Sequence, residues 1–380
     1  MSEQKIRVAV VCGGKSAEHE VSLASAKNVM NALDQKKYEI NLVVLDRQGR
    51  LLSSVTAQQC LENAPGGSAF AIGDESTFGF EETGGEIVTI VRDESSASLI
   101  PLTGESGRTP IDVIFPVMHG PDGEDGSIQG LARLANVAVV GSSVLGSAVN
   151  MDKDVTKRLL EQAGFPIARF VAIRYSERDR LTFDAVAGEL GSPFFVKPAN
   201  LGSSVGVCKV TCREDFDAAV AEAFSYDTKI ICEEFIQGRE IECAVLGTDS
   251  PIASVPGEIL IQAEHDFYSY DTKYRDEHGA QLVIPADLSE EMAAKIRELA
   301  CRVFITTCCE GMARVDFFLT EDGRVIINEL NTIPGFTDVS MYPKLWEASG
   351  VSVTEVLDRL IDDALQRFEQ RTRLKTQVDG

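Results

Sequence analysis

Four polar side chains in the C-terminal third of the chain could together bind a metal ion and a phosphate group: Arg314, Asp316, Glu329 and Asn331. Three of them lie in two apolar-rich runs, 312–319 and 324–330, which flank Asp322-Gly323, and Asn331 directly follows the second run. An Asp-Gly dipeptide favours a two-residue hairpin turn, in which Glu321 would face Arg324. Counting back from that turn pairs Asp316 with Glu329 and Arg314 with Asn331. Residues two apart on a strand share a face, so the hairpin is predicted to gather all four side chains on one side.

Two carboxylates that oppose each other on a hairpin repel, and a divalent cation would remove that conflict. Asp, Glu and Asn oxygens are hard donors of the kind that Mg2+ accepts, usually with phosphate oxygens completing its coordination. The alternative is a surface hairpin whose charges are solvated. The residues interspersed with the polar set favour a hairpin that packs on a core: Val315, Phe317, Val325 and Ile327.

The N-terminal part of the chain is predicted to form an open parallel α/β sheet. Apolar runs at 6–12, 40–45 and 112–118 are predicted strands, and a helix is expected from about Ser22 to Leu33. The first and third of these strands run into Gly13-Gly14 and His119-Gly120, and ligands bind such sheets beyond the carboxyl ends of the strands. The segment from about 48 to 108 is expected to contain loops and short antiparallel strands.

The pattern changes near Met151. Helices are predicted at 154–163 and 183–190, and strands at 169–173, 193–197 and 205–210. A larger mixed region that contains the hairpin follows residue 238. We therefore predict three domains, at 1–148, 149–238 and 239–380, with an overall α/β and α+β fold.

Composition narrows the class of protein. With 380 residues and 44% hydrophobic content, the chain can bury the cores of two or three domains. Its 36 basic and 59 acidic residues give a net charge of −23, which argues against general nucleic-acid binding but not against an anionic substrate in a cleft with local Lys and Arg. The sequence shows no signal-peptide pattern, no membrane-spanning run and no Cys-x-x-Cys among its nine cysteines, so we expect a reduced, cytoplasmic protein without membrane partners.

Two further segments carry groups for nucleotide binding. The run from Lys197 to Gly206, KPANLGSSVG, follows a predicted strand; its Gly and Ser residues let backbone N–H groups approach an anion, while Lys197 adds a positive charge. The alternative is an ordinary Gly-Ser turn. The acidic strand ends at 233–234 and 240–242 could present acceptors to an adenine edge and to ribose hydroxyls, although such acids are commonly solvated.

These segments and the hairpin together resemble the ATP-grasp fold, in which ATP lies between two α+β lobes. Longer motifs resemble D-alanine–D-alanine ligases: GGKSAEHEVS from Gly13, HGPDGEDG from His119, MDK from Met151 and NELNTIPGFT from Asn328. The resemblance covers most of the chain and thins across 48–108 and at the C-terminal tail. It implies that ATP phosphorylates the carboxylate of one D-alanine, and that the amine of a second D-alanine attacks the acyl phosphate.

The resemblance also assigns residues. It implies that ATP is bound by Lys153, Lys197, Ser203, Ser204, Glu233, Phe235, Ile236, Glu240, Asn328 and Glu329. Two Mg2+ (or Mn2+) ions would be held by Asp316, Glu329 and Asn331. Negative charge on the reacting oxygens would be stabilised by Arg314 and the Gly335 N–H.

For the amino-acid substrates, the resemblance implies a hydrogen-bonded catalytic set of Glu18, Ser203 and Tyr274. Glu20 competes with Glu18 for the first role, and either could simply be an acid at a helix N-terminus. His119 is expected to bind substrate, with a buried structural histidine as the alternative, and Glu124 is expected to begin the next helix. Ser340 and Met341 match positions that contact the second substrate, where the family more often has Leu than Met.

A long polar-aromatic loop at 263–279 is expected to act as a lid, with Lys273 and Tyr274 closing over the site to exclude water. Relatives that make D-alanyl-D-lactate typically lack this tyrosine, so its presence favours an amine nucleophile. D-lactate or D-serine as the second substrate, and a nucleotide-binding regulator without turnover, remain open as alternatives. A homodimer is what the family suggests.

Overall fold

The chain is described here by a computed structural model, which covers residues 4–53, 58, 86–92, 96–102, 107–261 and 280–375. Within these ranges the strands form three sheets, which follow one another along the sequence. No helix in the covered ranges is long and apolar enough to cross a membrane.

The N-terminal sheet has eight strands in the order β6-β5-β4-β3-β2-β1-β7-β8. Its strands are β1 (Ile6–Gly13), β2 (Tyr38–Leu45), β3 (Leu51–Ser53), β4 (Glu86–Arg92), β5 (Ala97–Pro101), β6 (Thr109–Ile111), β7 (Val113–Pro116) and β8 (Ala138–Val139). The half made of β2, β1, β7 and β8 is parallel, as predicted, and both of its faces are covered. Strands β3 to β6 extend it with antiparallel pairs, which agrees with the short antiparallel strands expected after residue 48.

The middle sheet is antiparallel, in the order β11-β10-β12-β9. It consists of β9 (Phe170–Arg174), β10 (Phe194–Pro198), β11 (Cys208–Val210) and β12 (Lys229–Glu234). Phe194 and Phe216 are at the centre of a separate core on one side of this sheet. The strand predicted at 205–210 begins only at Cys208, because Gly206 has a φ of 68°, which is outside the β region.

The C-terminal sheet has the order β16-β15-β13-β17-β18, with β14 paired to β13. It consists of β13 (Arg239–Leu246), β14 (Ile252–Ala253), β15 (Gly257–Ile261), β16 (Ala280–Val283), β17 (Met312–Leu319) and β18 (Val325–Asn331). The predicted hairpin is β17–β18, and Val315, Phe317, Val325 and Ile327 are all buried as expected. The α/β and α+β fold class is therefore confirmed.

Nine α-helices cover these sheets in the described ranges. They are α1 (His19–Ala32), α2 (Ser127–Leu134), α3 (Val144–Met151), α4 (Lys153–Gln162), α5 (Phe183–Leu190), α6 (Arg213–Tyr226), α7 (Glu290–Thr306), α8 (Met341–Ala348) and α9 (Val353–Thr372). The side chain of Asp152 caps α4 by accepting from the Val155 N–H at 3.1 Å. Helix α5 has the bounds that the sequence predicts.

The N-terminal and C-terminal sheets share one hydrophobic core. Val8 and Val10 of β1 belong to the same buried cluster as Met312 of β17, Trp346 of α8 and Leu360 of α9. Because protein cores are close-packed, this shared cluster fixes the position of β1 and β7 relative to the hairpin. The loops that follow β1, β7 and β18 are thereby held next to each other.

The turn of the hairpin differs from the prediction, although its register at the polar residues does not. Thr320, rather than Glu321, faces Arg324, and the loop has three residues with Gly323 at φ 77°. This longer loop shifts the register by one residue, and a bulge at Asn328 between the pairs Phe317–Ile327 and Asp316–Glu329 shifts it back. Asp316 therefore still faces Glu329, and Arg314 still faces Asn331.

Candidate active site between the three sheets

Two adjoining cavities lie where the sheets meet. The first, of about 260 Å3, lies between the middle and C-terminal sheets, and the second, of about 110 Å3, lies between the C-terminal sheet and the loops of the N-terminal sheet. Both are lined by Gly202, Ser203, Glu242, Arg314 and Glu329. A group bound in one cavity would therefore be in reach of a group bound in the other.

Every residue that the sequence suggests for ATP lines the first cavity: Lys153, Lys197, Ser203, Ser204, Glu233, Phe235, Ile236, Glu240, Asn328 and Glu329. The second cavity is lined by the described residues expected to contact the amino acids or the reacting oxygens: Glu18, Ser203, His119, Arg314, Gly335, Ser340 and Met341. Lys273, Tyr274 and the lid predicted at 263–279 lie outside the described residues.

Arg314 is the centre of an ion cluster on the shared wall. Its Nε and one terminal nitrogen donate to the two oxygens of Asp316 at 2.8 and 2.7 Å, and its Nε lies 3.0 Å from Glu242. Burial alone would lower the pKa of Arg314, but Asp316 and Glu242 raise it well above its ordinary value. The guanidinium is thus a permanent, fixed positive charge between the cavities. The sequence placed Glu242 only among the acidic strand ends, and its pairing with Arg314 was not predicted; it faces Asp316 across the β13–β17 pair.

The polar face of the hairpin suits a hard divalent cation by the chemistry of its donors. Asp316 and Glu329 supply carboxylates and Asn331 an amide on the cavity side, and the Asn331 amide donates to Asp316 at 3.0 Å. In this arrangement Arg314 balances the charge of Asp316, and Lys153 lies 3.5 Å from Glu329. No group of three or more His, Cys, Asp or Glu side chains in the described part of the chain is arranged to hold a metal ion. The two-metal assignment therefore stays a prediction.

The predicted phosphate loop connects the middle sheet to the hairpin. Lys153, at the start of α4, donates to the Leu201 carbonyl at 2.7 Å and lies 3.5 Å from Glu329. Ser203 and Ser204 have φ of 52° and 57°, a left-handed conformation that costs non-glycine residues of the order of 1–3 kcal/mol each. Strained backbone of this kind is concentrated at ligand sites and lets successive groups point into one cavity.

Glu233, predicted to accept from adenine, is held by two lysines at the other end of the first cavity. Lys197 is ion-paired with one carboxylate oxygen and Lys157 with the other. Burial would raise the pKa of Glu233, but the charges of Lys157 and Lys197 outweigh burial and lower it. Lys157 is not among the residues predicted from the sequence. Its spacing of four residues from Lys153, which places both on one face of α4, was the available signal.

Glu18 and Glu20 make different contacts. The Ser203 hydroxyl donates to the Glu18 carboxylate, which links the loop after β1 to the loop after β10. Glu20 is instead ion-paired with Arg47 at 2.6 Å. Glu18 is also the N-cap residue of α1, which agrees with the alternative of an acid at a helix N-terminus. Its hydrogen bond from Ser203 is an additional contact that this alternative does not explain.

His119 is buried in a hydrogen-bonded chain. Its Nδ1 lies 2.9 Å from the Ile333 carbonyl and its Nε2 lies 3.3 Å from the Ser25 hydroxyl, which in turn accepts from the Phe336 N–H at 3.1 Å. Burial lowers the pKa of His119, so its ring is neutral, with Nδ1 donating and Nε2 accepting. These contacts support the alternative that His119 is a buried structural histidine. His119 nevertheless also lines the second cavity.

Glu124 does not begin the next helix, as α2 starts at Ser127. Its carboxylate accepts from the Gly120 N–H at 2.9 Å and from the Ile333 N–H at 3.0 Å. It therefore joins the loop after β7 to the segment after β18. Burial and the nearby charge of Glu18 raise the pKa of Glu124 to about 7. This role was not predicted from the sequence because Glu124 and Ile333 are 209 residues apart.

Gly335 and Ser340 lie against each other at the far end of the second cavity. A Cβ on Gly335 would be 2.6 Å from the Ser340 hydroxyl oxygen, so only glycine fits without displacing that side chain. Ser340 is the N-cap residue of α8, and its hydroxyl accepts from the Thr337 N–H at 2.9 Å. The Ser340 side chain makes no capping hydrogen bond to α8, and the positive end of the helix makes this end of the cavity suitable for a carboxylate.

Comparison with known proteins agrees with this geometry. Models of the D-ala D-ala ligase N-terminus and C-terminus match residues 7–142 and 159–362. A D-alanine--D-alanine ligase of Shouchella clausii is 49% identical over 374 residues, which are 98% of each chain. The D-alanine-D-alanine ligase structure from Coxiella burnetii has a TM-score of 0.81 at 37% identity and covers 97% of this chain and 96% of that one. The VanG D-Ala:D-Ser ligase of Enterococcus faecalis has a TM-score of 0.80 at 33% identity, over 94% of this chain and 99% of that one.

Proposed function

This chain belongs to the D-alanine–D-alanine ligase family, and from that premise we propose that it uses ATP to join two D-alanine molecules into D-alanyl-D-alanine. ADP and inorganic phosphate are the other products, and the dipeptide serves as a peptidoglycan precursor. The observation that carries the proposal is the wall of Ser203, Arg314 and Glu329 shared by the two cavities. The two cavities adjoin at these residues, so a phosphoryl group can be transferred there from a nucleotide in the first cavity to a carboxylate in the second.

The reaction has two steps. The γ-phosphoryl group of ATP moves to a carboxylate oxygen of the first D-alanine and leaves ADP. The amine of the second D-alanine then attacks the acyl carbon, loses a proton, and the tetrahedral intermediate expels phosphate as the peptide bond forms. Both steps place negative charge on oxygens beside the shared wall, where a buried cation stabilises it most strongly.

The nucleotide occupies the first cavity in this proposal. Its base lies near Glu233, with the backbone of Phe235 and Ile236 beside it, and its ribose lies near Glu240. Lys153 and the Ser203-Ser204 loop receive the phosphates, and Lys153 is already tied to both the loop and Glu329. Mg2+ held by Asp316, Glu329 and Asn331 would neutralise phosphate charge during transfer.

The amino acids occupy the second cavity. Glu18 holds the ammonium of the first D-alanine and orients Ser203, and Arg314 with the Gly335 N–H stabilises the developing oxyanion. The carboxylate of the second D-alanine lies at Ser340 and the start of α8, with Met341 against its methyl group. His119 and Glu124 hold the Ile333–Gly335 segment in place from the N-terminal side.

Lys273 and Tyr274 are proposed to close over the bound substrates and exclude water. A homodimer in the cytoplasm, with no nucleic-acid or membrane partner, is proposed from the family and from the composition. Manganese is proposed as an alternative to magnesium because both accept hard oxygen ligands.

The test is ADP release by the purified protein with Mg2+ and a panel of D-alanine, D-serine and D-lactate. We expect turnover with D-alanine alone, and D-alanyl-D-alanine as the product by mass spectrometry. Similarity to a D-Ala:D-Ser ligase makes D-serine as the second substrate the alternative that this panel must separate. Release of ADP with D-lactate but not with D-alanine would overturn the proposal, and nucleotide binding without any ADP release would support a regulator.

A further inference from the structure

Lys157 is a fully buried lysine to which the proposed reaction assigns no role. Its side chain is 2% exposed, and its ammonium is ion-paired with Glu233, whose side chain is 5% exposed. It also lies 5.7 Å from the centre of the Phe170 ring. Lys157 is therefore packed behind the first cavity rather than in it. Burial lowers its pKa although Glu233 opposes this effect.

A structural salt bridge alone does not account for this arrangement. Removing an ammonium from water costs several kcal/mol, and one lysine already balances the charge of one carboxylate. Here Lys197 pairs with one oxygen of Glu233 and Lys157 with the other, so the cluster has one positive charge in excess. Two cations on opposite oxygens also fix the plane of the carboxylate, which a single cation does not.

The two lysines differ in their freedom to move. Lys197 lines the cavity, and its side chain is 11% exposed, so a bound nucleotide can draw its ammonium away from Glu233. Lys157, which belongs to α4, does not line the cavity and is buried behind the carboxylate, so a nucleotide in the cavity cannot draw its ammonium away from Glu233. When Lys197 turns toward the ligand, Lys157 is the cation that keeps Glu233 ionised and oriented.

An ionised carboxylate only accepts hydrogen bonds. The 6-amino group of adenine is a donor, whereas the 6-oxo group of guanine or hypoxanthine is an acceptor. A carboxylate that is fixed as an acceptor therefore accepts a hydrogen bond from the 6-amino group of a bound purine. When a 6-oxo purine enters, two acceptors face each other, the carboxylate and the 6-oxo oxygen, and no hydrogen bond can form. Polar sites that cannot pair with a competing ligand reject it strongly.

We propose that Lys157 is a positioning residue that sets nucleotide selectivity: it fixes Glu233 as an acceptor, so the site takes a 6-amino purine nucleotide and rejects a 6-oxo purine nucleotide. The inference rests on the proposed function, in that the base is placed at Glu233. It goes beyond that function by assigning the choice of base to a residue that does not touch the nucleotide.

The test compares ATP with ITP, whose base has an oxo group in place of the 6-amino group. The ratio of kcat/KM for ATP to kcat/KM for ITP, measured with saturating D-alanine, is independent of the fraction of active protein. We expect Lys157→Met to lower this ratio at least tenfold relative to the unaltered chain, mainly through KM for the nucleotides. Lys157→Gln, which keeps a donor to Glu233 but removes the charge, is expected to do the same and serves if the methionine variant is not recovered.

Lys229→Met is the matched control. Lys229 is a partly buried lysine at the start of β12, the strand that carries Glu233, and it pairs with Asp152 and Asp154 at 2.5 and 3.0 Å rather than with Glu233. Its loss should leave the ATP-to-ITP ratio unchanged. An unchanged ratio in both Lys157 variants, or an equal fall in the Lys229 variant, would overturn the inference.

A Glu233→Gln variant tests separately whether the base lies at Glu233 and whether Lys157 sets the selectivity. An amide can present a donor to a 6-oxo group, so this variant should also lower the ratio. If Glu233→Gln lowers the ratio and the Lys157 variants do not, the base lies at Glu233 and Lys157 has no part in selectivity. If neither change affects the ratio while D-alanine-dependent ADP release persists, the placement of the base is wrong and the inference falls with it.

Discussion

Replacing Glu124 by Gln should change how the stability of the protein depends on pH. The Glu124 carboxylate is buried beside Glu18, and burial and that neighbouring charge raise its pKa to about 7, although hydrogen bonds from two backbone N–H groups act to lower it. In the unfolded chain the same group has a pKa of about 4.3. Between these values the folded protein holds a proton that the unfolded chain has lost, so stability falls as pH rises through this window.

The size of the effect follows from the pKa difference. At about 1.4 kcal/mol per pKa unit, a rise from about 4.3 to about 7 corresponds to about 3.8 kcal/mol of unfolding free energy, of which about 2.5 kcal/mol is lost between pH 5 and pH 8. Gln does not titrate and so does not undergo this loss. It can accept from only one of the two N–H groups, which lowers stability by an amount that does not depend on pH.

Urea unfolding at pH values from 5 to 8 measures the effect. Glu124 lies between the N-terminal and C-terminal sheets, which share one core, so unfolding of that core reports on it. The unfolding free energy of Glu124→Gln minus that of the unaltered chain should rise by about 2.5 kcal/mol across the range. Glu161→Gln, at an exposed position of α4, is the control and should give a flat difference. A flat difference for Glu124→Gln as well would refute the argument.

Three further substitutions test the active site. Asp316→Ala should lower ADP release by more than about 100-fold through loss of a metal ligand, and a rate near that of the unaltered chain would remove the hairpin from the metal site. Gly335→Ala places a Cβ 2.6 Å from the Ser340 hydroxyl oxygen and should raise KM for the second D-alanine about tenfold, with KM for ATP as the internal control. Glu242→Gln removes a charge 3.0 Å from Arg314 and should slow turnover about tenfold without changing KM for ATP; an unaltered rate would show that Asp316 alone positions the guanidinium.

The hairpin shows how far local sequence information reaches. Its polar pairs have the predicted register even though the predicted turn is wrong. The reason is that Val315 and Phe317 must face the core, and a slip by one residue would bury the polar set instead. The alternation of residue types fixes the register, and the three-residue loop and the bulge at Asn328 adapt to it.

By itself the sequence determined the central strands of the parallel sheet, the acidic hairpin and the small-residue loop, because each depends on residues close together in the chain. The roles of Glu124, Lys157 and Glu242 were decided only by the tertiary structure. Each acquires its charge state or its orientation from burial against a segment far away in sequence: Glu124 against Ile333, Lys157 against Glu233, and Glu242 against Arg314. Desolvation and pairing are properties of a three-dimensional neighbourhood, so no local pattern of residue types encodes them.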